Sequence, residues 1–351
     1  MADTEVKKYT EISKLGEFGL IKHLTEKIEL LQSSTIKGVG DDAAVIAPPA
    51  EGEVMLLSTD MMAEGIHFEL TYTPLRHLGY KAIAVNVSDI CAMNGTPTQV
   101  VVSIAVSNQY SVESLEEIYK GIRFACKEYK VDLVGGDTTS SRSGLVIDVT
   151  ILGKAKKESV VYRNGAKPGD LLCVSGDLGA AYAGLLLLER ARKTVGADPS
   201  QKPELQGYGY VLQKQLMPRA RVDVVELFNT SDIVPTSMID ISDGLSSEIH
   251  HICEASKTGC LLEELKVPIH EETIKVANEN GVSPSLFALS GGEDYELLFT
   301  LNPADYKKIK DPALLTIIGE ILPSEDGIML AAKDGKMHPL PVQGWDGLRA
   351  K

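Results

Sequence analysis

Val131-Asp132-Leu133-Val134-Gly135-Gly136-Asp137-Thr138-Thr139 is an apolar, β-branched run that stops at two glycines and delivers an acid flanked by hydroxyls. Such a run bounded by glycine reads as a short buried strand over 131–134, with Asp137 at its end. Upstream, Leu115, Ile118, Ile122, Ala125 and Tyr129 recur at helical spacing. Before them, 99–106 is β-branched and reads as a strand, and downstream 145–152 reads as another. Strands and helices alternating in this way indicate an α/β fold.

The same setting recurs along the chain. Gly38-Val39-Gly40-Asp41-Asp42, Leu57-Ser58-Thr59-Asp60, Asn86-Val87-Ser88-Asp89, Asp240-Ile241-Ser242-Asp243-Gly244 and Gly291-Gly292-Glu293-Asp294 each place acids beside glycine, serine, threonine or the end of an apolar run. Carboxylates and small hydroxyls on rigid turns are hard oxygen ligands, the donors that hold Mg²⁺ against phosphates. Any one of these segments also reads as a turn or helix cap. Recurrence at six places favours the ligand reading.

The 351 residues suggest two domains, and a net charge of −14 disfavours nucleic acid or an anionic membrane as partner. The cysteines Cys91, Cys126, Cys173, Cys253 and Cys260 are odd in number and form no C-x-x-C motif, as expected for buried thiols in a reducing cytoplasm. No apolar run approaches the roughly 20 residues of a membrane helix, and residues 1–14 lack a signal-peptide core.

Residues 1–14 read as a flexible extension, 15–155 as an N-terminal domain and 156–351 as a C-terminal α/β domain. The boundary rests on the charged and turn-rich stretch 154–170. Helices are expected over 17–31, 75–93, 178–192, 208–215, 219–229 and 245–256. Strands are expected over 43–47, 54–59, 171–174, 237–241, 296–301 and 315–318, and 194–206 reads as an exposed loop. On the 75–93 helix Asn86 and Asp89 share a face, where a cation would serve them both.

Gly38-Val39-Gly40-Asp41-Asp42-Ala43 fits the letters of a dinucleotide fingerprint. No strand is expected before it and no helix after it, and its aspartates would repel a pyrophosphate, so that reading is rejected. There is no P-loop motif and no protein-kinase motif set. Strand alternation puts Ser58 and Asp60 on one side and Thr59 on the other unless the strand ends there. The seven histidines show no zinc spacing, and His67, close after Asp60, is the one suited to a substrate phosphate or ring. Arg163 reads either as a surface residue or as a guanidinium for a nucleotide phosphate. Trp345 reads as packing or as a stacking surface.

Taken in order, these segments resemble the thiamine-monophosphate kinase family of the aminoimidazole-ribonucleotide-synthetase-like superfamily. The resemblance also rests on His67-Phe68, on Lys81-Ala82-Ile83-Ala84-Val85 before Asn86, on Gly165-Ala166-Lys167-Pro168-Gly169-Asp170, and on Leu289-Ser290 before Gly291. It runs from Gly16 to about Gly347. It implies two domains, the N-terminal one a mixed sheet with helices that pairs with a second copy in a barrel-like homodimer interface. It implies ATP-dependent phosphorylation of thiamine monophosphate to thiamine diphosphate with several Mg²⁺ ions. By motif, metal falls to Asp42, Ser58, Thr59, Asp60, Asp89, Asp137, Asp240 and Asp243. ATP falls to Gly136, Asp137, Arg163 and Ser242, and the substrate to His67, Glu293 and Trp345. There are three departures from the family pattern: Asn94 stands where glycine is expected, Ser140-Ser141 replaces an expected arginine, and Trp345 stands where some relatives carry tyrosine.

Phosphoryl transfer to a phosphate monoester needs no general base, because the acceptor is already ionised at pH 7. The acids are then ligands rather than proton carriers. The competing readings are a two-metal phosphohydrolase, another ATP-using member of the superfamily, and a non-catalytic Mg–nucleotide sensor.

Overall fold

The computed structural model of the chain describes residues 9–197, 205–309 and 312–344. Along them run α1 (Gly16–Thr25), β1 (Thr35–Lys37), β2 (Val45–Ile46), β3 (Glu53–Ala63), α2 (Leu75–Ala92), β4 (Thr96–Val106), α3 (Val112–Tyr129), β5 (Asp132–Ser140) and β6 (Val146–Lys156). The chain continues through β7 (Leu171–Ser175), α4 (Ala180–Ala197), α5 (Gly209–Leu216), α6 (Val222–Ser231), β8 (Ser237–Asp240), α7 (Leu245–Ser256), β9 (Gly259–Glu263), α8 (Glu271–Glu279) and α9 (Pro284–Ser290). It closes with β10 (Leu297–Leu301), α10 (Pro303–Tyr306), β11 (Leu315–Leu322), β12 (Ile328–Ala331) and β13 (Met337–Pro339). The fold is mixed α/β, and the described residues form two compact units. The first holds residues up to Pro49, Leu57–Asn86 and Pro97–Leu152; the second holds Ala50–Leu56, Val87–Thr96 and the chain from Gly153 onward.

The first unit is built on a four-stranded sheet in the order β3-β6-β4-β5. β4 and β5 are parallel, with Ser103 opposite Asp137, and α3 makes the crossover between them. The apolar stripe read from the sequence is the buried face of α3: Leu115, Ile118, Ile122, Ala125 and Tyr129 are all inside. Ser111 caps the helix by accepting the Ser114 N–H at 3.2 Å. The helices α2 and α3 approach at glycine. A Cβ on Gly79 would overlap the Ile118 carbonyl, and one on Gly121 would overlap the Arg76 carbonyl.

The second unit carries a seven-stranded sheet in the order β13-β12-β9-β11-β7-β10-β8. It is antiparallel apart from β12 against β9. β8 and β10 are buried along their whole length, which accounts for their continuous apolar character. Leu172, Val174, Ile239 and Leu298 of the sheet pack with Leu245, Ile249 and Ile252 of α7. A second cluster joins Ala180, Ala183 and Leu187 of α4 to Val211, Val276 and Phe287. Among the described residues no helix is long and apolar enough to cross a membrane. All five cysteines are buried free thiols.

Several expectations need correction. The tripeptide Ser58-Thr59-Asp60 and the run Gly135–Thr139 do not end strands: β3 continues to Ala63 and β5 to Ser140. Pairing within the sheet overrides the weak strand propensity of aspartate and glycine. The first helix stops at Thr25 rather than near residue 31, because the buried Asp132 carboxylate draws the Leu31 and Gln32 N–H groups into a different path. A short strand does precede Gly38: β1 pairs with β2, so Gly38–Ala44 is a hairpin loop with both aspartates exposed. Residues 9–14 are not loose. The Thr10 N–H donates to both carboxylate oxygens of Glu113 at 3.1 and 3.0 Å, and Glu11 bridges Ser111. Residues 1–8 lie outside the described residues. α4 runs on to Ala197, into the stretch expected as a loop, and residues 198–204 lie outside the described residues. β9, α8, α9, β12 and β13 were not expected.

Candidate active site

In the first unit, alternation along β3 sorts the three consecutive ligand candidates. Ser58 and Asp60 share the half-buried side, and Thr59 faces the exposed side. The Thr59 hydroxyl is engaged there by β6, donating to the Val149 carbonyl at 3.0 Å and lying 3.1 Å from Thr150 Oγ1. The Asp60 N–H donates to Asn86 Oδ1 at 3.1 Å, and Asn86 Nδ2 donates to the Ala82 carbonyl at 3.0 Å. Asn86 is thereby a backbone clamp on β3, which corrects the reading of it as half of a cation site. Asp42 stands exposed in the β1–β2 loop, its N–H held by Asp41 Oδ1 at 3.0 Å.

His67 accepts the Ala63 N–H through Nδ1 at 3.0 Å. Its neutral tautomer therefore carries the proton on Nε2, leaving that nitrogen as a donor. Asp137 is exposed on the second half of β5. Gly136 beside it has a packing reason of its own, since a Cβ there would overlap the Val102 carbonyl of the neighbouring strand.

In the second unit, Asp240 ends β8 and Asp243 lies just ahead of α7, whose N-terminal dipole favours negative charge. The Ser88 hydroxyl donates to Asp240 Oδ2 at 2.7 Å, with Asp89 next in sequence. The Asp243 N–H donates to Glu248 Oε1 at 3.0 Å. Glu248, on α7, is a neighbour of these acids that the sequence did not single out. It is 1% exposed, and its second oxygen has no hydrogen-bond partner. Burial pushes its carboxyl up to about 8, and the Asp243 and Asp240 charges add to the rise. Its acidic character and its position in the first turn of a helix were visible in the sequence. Its place beside two aspartates was not.

Ser242 and Glu293 are brought together: the Glu293 N–H donates to the Ser242 carbonyl at 2.7 Å. Glu293 has φ +67°, a left-handed conformation rare for a non-glycine residue and characteristic of functional loops. Its neighbour Asp294 is fully buried and accepts the Gly179 and Ala181 N–H groups at the start of α4, and burial pushes its carboxyl up to about 7. Arg163 is exposed, and its guanidinium has no partner among the described residues. Asn94 takes φ +57°, the conformation that favours glycine, and holds it by donating from Nδ2 to the Ser159 carbonyl at 3.0 Å. Trp345 lies outside the described residues.

Among the described residues no group of three or more His, Cys, Asp or Glu side chains is arranged to hold a metal ion alone. Mg²⁺ does not require such a cage. It keeps several waters and is usually bound by one or two carboxylates together with substrate phosphates. The hard-oxygen donors fit it, and the buried Glu248 oxygen that has no hydrogen-bond partner lies on a carboxyl close to Asp243.

Residues 40–155 match the family model for the AIR synthase related protein N-terminal domain, and 167–330 match its C-terminal domain. The chain is 36% identical over 296 residues to the thiamine-monophosphate kinase of Bacillus subtilis, covering 84% of this chain and 86% of that protein. It is 34% identical over 337 residues to that of Aquifex aeolicus, covering 95% and 98%. The solved structure of AaThiL complexed with AMPPCP and TMP superimposes with a TM-score of 0.72 at 33% identity, covering 95% of this chain and 97% of that one. The chain belongs to the AIR synthase related family, within its group of thiamine-monophosphate kinases.

Proposed function

We propose that this chain is an ATP-dependent kinase that phosphorylates thiamine monophosphate to thiamine diphosphate. The observation that carries the reading is the pairing of two acid-bearing loops in the second unit. The Asp240–Asp243 turn is tied through the Ser242 carbonyl to the strained loop that presents Glu293. Phosphate-holding acids and a candidate acceptor-binding acid thus share one rigid support.

In the reaction an oxygen of the acceptor's phosphate attacks the γ-phosphorus of ATP in line. The bond from that phosphorus to the β,γ-bridging oxygen breaks, and ADP leaves. Asp42, Ser58, Thr59, Asp60, Asp89, Asp137, Asp240 and Asp243 would hold Mg²⁺, with Thr59 the least suited because its hydroxyl is taken up by β6. Mg²⁺ when bound supplies neutralisation of the two polyanions. Gly136, Asp137, Arg163 and Ser242 serve ATP. His67, through Nε2–H, and Glu293 and Trp345 serve thiamine monophosphate. No residue need move a proton on or off the nucleophile, because the acceptor phosphate is already ionised.

Domain limits at 15–155 and 156–351, a cytoplasmic location and a homodimer belong to the same reading. Burial of all five cysteines as free thiols supports a reducing compartment. Met55, Leu57 and Met61, at 49, 68 and 58% exposure on one face of β3, support the paired sheet. Sedimentation at micromolar concentration is expected to give twice the chain mass, and a monomer there would remove the dimer.

The decisive assay incubates the protein with ATP, Mg²⁺ and thiamine monophosphate, with free thiamine as control, and follows thiamine diphosphate by chromatography. Product from the monophosphate alone is expected. ATP hydrolysis regardless of acceptor would move the chain to the phosphohydrolase reading.

A further inference from the structure

Lys214 and Gln215 are consecutive on α5, and their side chains engage two acids of one segment. Lys214 Nζ donates to Glu296 Oε1 at 2.8 Å, and Gln215 Nε2 donates to Glu293 Oε2 at 2.7 Å. Glu296 is 2% exposed and is also held by Arg221 at 2.5 Å and the Ser175 hydroxyl at 2.6 Å. The stretch in between is fixed along its length. Glu293 N–H bonds the Ser242 carbonyl, Asp294 accepts two N–H groups of α4, and Tyr295 N–H bonds the Ile241 carbonyl at 2.9 Å. These bonds hold two non-glycine residues, Glu293 and Tyr295, at φ +67° and +50°.

Backbone bonds fix where Glu293 begins, but not where its long side chain points. Gln215 holds one of the Glu293 carboxylate oxygens, and at 5% exposure it has little freedom of its own. We propose that Gln215 is a positioning residue that orients the Glu293 carboxylate for the acceptor substrate. The inference rests on the reading of Glu293 as a contact to thiamine monophosphate. It assigns Gln215 no contact with either substrate.

The test is Gln215→Met, which keeps length and volume and removes the N–H donor. KM for thiamine monophosphate is expected to rise about tenfold, the size of one lost hydrogen bond to a charged group. KM for ATP and kcat should stay within about twofold. In the double variant with Glu293→Gln, KM for thiamine monophosphate should be no higher than with Glu293→Gln alone, because the proposed effect of Gln215 on the substrate runs through that carboxylate. Gln215→Asn, a methylene too short to reach, should give the same split if the methionine variant melts early. Equal rises in both KM values, or effects that multiply in the double variant, would overturn the inference while leaving the function standing. A wild-type protein that forms no thiamine diphosphate would overturn both.

Discussion

Asp137→Asn is expected to lower kcat for thiamine diphosphate formation by about 10²–10³-fold, the usual result of removing one preorganised charge that serves the transition state. The substitution conserves shape and removes a single ligand charge. Asp137 is exposed and lies opposite Ser103 in the parallel β4–β5 ladder. Its side chain is not part of a core, so unfolding free energy should move by no more than about 0.5 kcal/mol. Asp60→Asn should behave alike, because the clamp on β3 is made by the Asp60 N–H and Asn86, which the substitution leaves in place. Turnover measured across Mg²⁺ concentrations, with denaturant melts beside it, checks both variants. Wild-type kcat at low Mg²⁺ in either variant would remove that residue from the metal set.

Glu296→Gln is expected to destabilise the protein by about 3–5 kcal/mol, the cost of breaking a buried ion pair from one side. Burial opposes ionisation of Glu296, but Lys214 and Arg221 outweigh it and hold the carboxyl below its ordinary range. Both cations would face a neutral amide in the variant, Arg221 retaining Asp223 at 2.9 Å and Lys214 losing its acid. The sign of the pH dependence follows from the depressed value. The Glu296 contribution is present above the unfolded carboxylate value of about 4.3. It is lost as pH falls through that value towards the lower folded one. The stability gap between wild type and variant should therefore be full at pH 7 and close below about pH 4. A gap unchanged at low pH, in urea titrations at each pH, would contradict the assignment.

Much of the fold was legible because the signals are local. The α3 stripe from Leu115 to Tyr129 and the bounds of α7 follow from helical periodicity and turn chemistry, which act over a few residues. β9, β12 and β13 were missed because they are short and pair at the far side of a sheet, where pairing rather than composition makes the strand. The acid-bearing segments were legible as motifs, yet their surroundings were not. Nothing near Asp243 in sequence singles out Glu248 as its partner, and nothing near Glu293 points to Gln215, 78 positions away. Asn86 was read as half of a cation site because its true partner, the Asp60 N–H, lies 26 positions upstream.

By itself the sequence determined the α/β class, the recurrence of hard-oxygen donors and the family, since each is written in residue type and short spacing. Only the tertiary structure decided which groups meet. It placed Ser88 on Asp240 across 152 positions, crossed two helices at Gly79 and Gly121 where no Cβ fits, and sent the Thr59 hydroxyl into β6, away from the side that holds Ser58 and Asp60. The physical reason is that a hydrogen bond or a close approach depends on distances set by packing of the whole unit, and residue spacing along the chain constrains those distances only within a few turns.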